Sequence, residues 1–82
     1  LTSKAELIRA VTAAQAGDWE AAHHIAQACQ AMEAKWLHAV LHKMEGDISN
    51  SHYWYAQTPG KRYDDFSDAQ QELIAIADKL NL

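Results

Sequence analysis

The chain has 82 residues, 49% of them hydrophobic and 22% charged, a balance that places it with globular proteins and excludes the disordered class. A net charge of -4, with seven Lys and Arg scattered along the sequence, gives no footprint for a phosphate backbone and argues against nucleic acid as a partner. No apolar run approaches the roughly 20 residues of a membrane helix, so a small soluble domain without a membrane partner is expected, and the lone Cys29 fits a reducing cytoplasm.

Ser3-Lys4-Ala5-Glu6 has the form of a capping box, so a helix is predicted to start there. Leu7, Ala10, Val11 and Ala14 form its core stripe, at the helical period of about 3.6 residues. Gly17 can take the left-handed conformation that ends a helix, and Asp18 can cap the next. That second helix turns Ala22, Ile25, Ala26 and Cys29 inward, with Trp19 covering the hairpin. Gln27 to Lys35 contains no Gly and no Pro. A break is placed near Gln30 to Met32, against a rival in which one helix runs from Trp19 to Glu45 along Ile25, Cys29, Met32, Trp36 and Val40. The third helix carries Leu37, Val40, Leu41 and Met44 on its apolar face, and Gly46-Asp47 closes it. A fourth runs from Asp47 or Ser49 to about Thr58, before Pro59-Gly60. Lys61 to Phe66 is a linker loop. Ser67 with Gln70 repeats the capping signal ahead of a fifth helix with the stripe Leu73, Ile76, Ala77 and Leu80. No segment alternates as a strand does, and the expected class is all-α with about five helices.

At an offset of 29 residues the sequence falls on itself: Gly17-Asp18 on Gly46-Asp47, Ala10-Val11 on Ala39-Val40, Ala22 on Ser51 and His23 on His52. Two stacked helical hairpins are expected, at about 3–31 and 33–58, with a capping helix at about 67–81. Gly17-Asp18-Trp19-Glu20-Ala21-Ala22 and, less closely, Gly46-Asp47-Ile48-Ser49-Asn50-Ser51 resemble the turns of the tetratricopeptide-like helical repeats, over roughly residues 5 to 58. That resemblance implies stacked hairpins acting through protein contacts. The chain departs from the family in having no proline between units and in carrying His38 and His42 where large apolar residues are usual, and its offset is shorter than the family's unit of about 34 residues. The block from His38 through Tyr55 also looks like a group of small bacterial proteins with a His-x-x-x-His, Glu-Gly-Asp and Tyr-Trp-Tyr pattern, a resemblance that implies fold and not mechanism.

Two sets of residues carry chemistry. His38, His42 and Glu45, at spacings of four and three, share a face of the third helix, and His52 follows across the turn. Two imidazoles one turn apart with a carboxylate suit zinc or another divalent transition metal, with His52 as a fourth donor; otherwise these rings pack inside, hydrogen-bonded to Glu45, Asn50 or a tyrosine hydroxyl. Tyr53, Trp54 and Tyr55 are consecutive, and at about 100° per residue they cannot all enter one core seam. At least one should meet solvent or a partner, and Tyr and Trp carry binding energy at interfaces. The His23-His24 doublet is read as solvated surface, with at most one ring turned to the core. No nucleophile triad or phosphate-cradling glycine loop is present. The expected function is a protein-interaction module or self-associating adaptor, needing no cofactor and binding through Tyr53, Trp54, His38, His42 and Asn50. The alternative is a metal-binding or hydrolytic protein using His38, His42, Glu45 and His52.

Overall fold

A computed structural model describes residues 3–80. Helix α1 (Lys4–Gln15) starts at the predicted box: Ser3 Oγ accepts from the Glu6 amide at 3.2 Å, and the Ser3 amide reaches back to the Glu6 carboxylate. Gly17 and Gly46 follow the first helix of each hairpin with φ of +88° and +84°, values that an L side chain adopts only with strain. The aspartate after each glycine caps the next helix. Asp18 accepts from the Ala21 amide to start α2 (Trp19–Gln27), and Asp47 from the Asn50 amide to start α4 (Ile48–Tyr55), both at 3.3 Å. The sequence repeat is thus a repeat of turn geometry.

The rival single helix from Trp19 to Glu45 is overturned: α2 ends at Gln27 and α3 (Met32–Glu45) begins five residues later, after residues 28–31. No breaker lies between them. Ala31 is extended, at ψ 148°, and its amide donates to Cys29 Sγ at 3.4 Å. Tertiary packing overrides local propensity here, because α3 folds back to bury Ala34, Leu37 and Leu41 against α1 and α2. A 3₁₀ turn at Tyr63–Asp65 interrupts the predicted loop, and α5 (Ala69–Lys79) is capped by Asp68, one residue beyond the expected Ser67. Five α-helices and no strand are present among the described residues.

The helices pair as α1 with α2 and α3 with α4, and α2 joins the pairs by packing on α3. Instead of capping the outer end of α4, α5 packs mainly across α3 and α1. The first helices of both hairpins therefore face α5, with Leu73 and Ile76 fully buried between them. A polar centre fastens this side. Glu72, 1% exposed, accepts from Trp36 Nε1 at 2.8 Å and from the Tyr55 hydroxyl at 2.7 Å on one oxygen. Its other oxygen faces the Lys43 ammonium at 2.6 Å, as an ion pair and not an aligned hydrogen bond. Lys43 also donates to the Tyr63 and Phe66 carbonyls at 2.9 and 3.1 Å, tying the 61–66 segment to α3. Burial, reinforced by the neighbouring carboxylate, pushes the Tyr55 hydroxyl pKa well above its ordinary range, so Tyr55 stays a donor.

Candidate metal centre

The opposite side of α3 carries the histidines. One turn apart, His38 and His42 stack at 4.9 Å between ring centroids and are 5% and 6% exposed. His23 comes from α2: its Nε2 lies 3.0 Å from His38 Nε2, and its ring meets His38 and His42 edge-on at 4.6 and 5.4 Å. Two tryptophans wall the group. Trp19 stacks on His23 at 4.6 Å and anchors its indole N–H to the Leu41 carbonyl at 2.7 Å. From α4, Trp54 stacks on His38 at 3.9 Å.

Two of the rings, His38 and His23, are pushed toward the neutral imidazole. Burial, then the neighbouring His23 and His42, lowers the pKa of His38 to about 4. His23 is lowered too, mainly by burial and next by His42, with Glu45 opposing. At His42 the tautomer follows from its partner. Nδ1 sits 2.7 Å from Glu45 Oε2, and because a carboxylate only accepts, Nδ1 carries a proton and donates it to Glu45. A histidine so held is the usual form of a metal ligand with its orienting carboxylate.

One ligand atom from each of His23, His38 and His42 lies within 4.8 Å of the other two. Four-coordinate zinc takes nitrogen at about 2.0–2.1 Å, which sets donors roughly 3.3 Å apart. The His23–His38 pair, at 3.0 Å, is already near that spacing, and His42 lies within 4.8 Å of both. His42, Glu45 and Asp47 form a second such group, but its carboxylates are engaged: Glu45 holds His42, and Asp47 caps α4 through Asn50.

The residues singled out in the sequence divide. His38 and His42 converge, and Glu45 stands behind His42. His52 lies elsewhere, stacked on Tyr63 at 4.7 Å, and His23 stands in the place expected of it. The physical reason is the stacking of hairpins. Position 23 on α2 faces the next unit, which is α3; its repeat equivalent, His52, faces whatever follows α4, and the 61–66 segment follows. Adjacency across the turn favours His52, and the repeat register only makes His23 its equivalent, without joining α2 to α3. Of the remaining surface residues, Tyr53 is 60% exposed, Trp54 is half-buried on His38, and Asn50 is engaged with the Asp47 cap. His38 and His42 lie inside, at 5% and 6% exposure, and are not part of the surface. No protein-family model, curated protein or solved structure matches the chain.

Proposed function

We propose that this protein binds a divalent transition metal, zinc or another ion suited to imidazole donors, through His23, His38 and His42, with Glu45 orienting His42. The observation that carries this is the convergence of three histidine ligand atoms within 4.8 Å, drawn from both hairpins. Between His23 and His38 a single proton now bridges two nitrogens 3.0 Å apart, and a metal ion takes that proton's place. Titration calorimetry with Zn(II) on chelator-stripped protein tests the assignment. A single ion should bind per chain, and His23→Ala should weaken it by more than the roughly 10–100-fold that loss of an orienting partner costs. His52→Ala should bind as the parent does. The reverse pattern, with His52 essential and His23 dispensable, sinks the proposal.

Tyr53 and Ile48, 60% and 55% exposed on α4, favour a second role: contact with a protein partner or a second copy of the chain. The paired Gly-Asp turns support a tetratricopeptide-like kinship for the two hairpins, in keeping with that role. Cys29 is a buried free thiol and suits the reducing cytoplasm.

A further inference from the structure

All five histidines, the cysteine and every Asp and Glu of this sequence lie within residues 3–80. Among them, only His23, His38 and His42 present ligand atoms to the common point. The nearest other candidate, Glu45, is spent on the far nitrogen of His42 at 2.7 Å. His24 is exposed, His52 is stacked on Tyr63, and Cys29 accepts from Ala31. A tetrahedral ion held by these three rings is therefore one donor short, the arrangement of sites that keep an open position rather than of closed structural ones.

Charge and shape say what fills it. A divalent ion with three neutral imidazoles and the single carboxylate of Glu45 leaves one positive charge in a largely buried site, where an uncompensated charge is costly. One monoanion neutralises it. Trp19 against His23 and Trp54 against His38 close the ring faces, and His38 and His42 are buried. His23 is only half-buried, and the Glu45 side chain is 39% exposed.

We infer that the ion held by His23, His38 and His42 keeps a fourth, exchangeable position that takes a small monodentate anion, an inference that rests on the metal-binding role proposed above. Co(II) is the probe, because its visible absorption reports coordination, and azide is the anion. Co(II)-loaded protein titrated with azide should show a saturable one-to-one change in those bands. Glu45→Gln removes one negative charge beside the site, so at saturating Co(II) its azide affinity should rise about tenfold. Bound Co(II) with a spectrum indifferent to azide would overturn the open position and leave metal binding standing. Failure to bind Co(II) at all would overturn both.

Discussion

His38 concentrates the energetic cost of the histidine cluster. With 5% of its surface exposed, packed on His23, His42 and Trp54, it has a folded pKa of about 4 against an ordinary 6.5. The unfolded chain therefore binds more protons between those values. The metal-free fold has its full stability above pH 6.5 and loses it as pH falls toward about 4, by roughly 2–3 kcal/mol from this residue. Urea unfolding of chelator-treated protein across that window should reproduce the slope, and His38→Gln should flatten much of it; an unchanged slope in the variant contradicts the assignment. Part of this centre was legible in the sequence: the i, i+4, i+7 pattern of His38, His42 and Glu45 needs only the helical period. His23 was not, because no local spacing joins α2 to α3. The same holds for Lys43, Trp36 and Glu72, which meet only once α5 folds across α3.

At the scale of the helices, signals written in side chains and glycines were readable, and signals written in packing were not. The Ser3 box, both Gly-Asp turns and the core stripes of α1 and α5 are where the sequence puts them. Residues 28–31 offer no breaker, and the α2–α3 break exists because two helices bury more apolar surface folded back than in line. The placement of α5 is likewise tertiary: its stripe fits any apolar groove, and the Glu72 contacts to Trp36, Tyr55 and Lys43 select the one over α3. The outer side of α4 carries the two most exposed large hydrophobics, Tyr53 and Ile48. Tyr53 rests only edge-on against Trp54, at 5.3 Å between centroids, so Tyr53→Ala should lower self-association or partner binding, read by light scattering, without changing helicity or Zn(II) affinity. Association equal to that of the parent chain would remove α4 as a contact surface.

On the scale of the molecule, α3 is an axle with a different polar centre on each side. Trp36 and Lys43, seven residues apart, lie on one face, and His38 lies about 200° round from Trp36. Lys43 and Glu72 fasten α5 and the 61–66 segment on the first side, and breaking such a buried pair costs about 3–5 kcal/mol. The second side holds no fully buried ion pair of that kind: three imidazoles, two tryptophans and the Glu45 carboxylate bridge α2, α3 and α4. The ion pair that fastens α5 and the proposed metal ligands thereby lie on opposite sides of one helix. The most direct test is to record long-range proton–nitrogen spectra of the imidazoles at neutral pH, before and after a single equivalent of Zn(II). The nitrogens of His23, His38 and His42 should move together while those of His24 and His52 stay in place. Movement of His52 in place of His23, or of none of the five, would contradict the proposed metal centre.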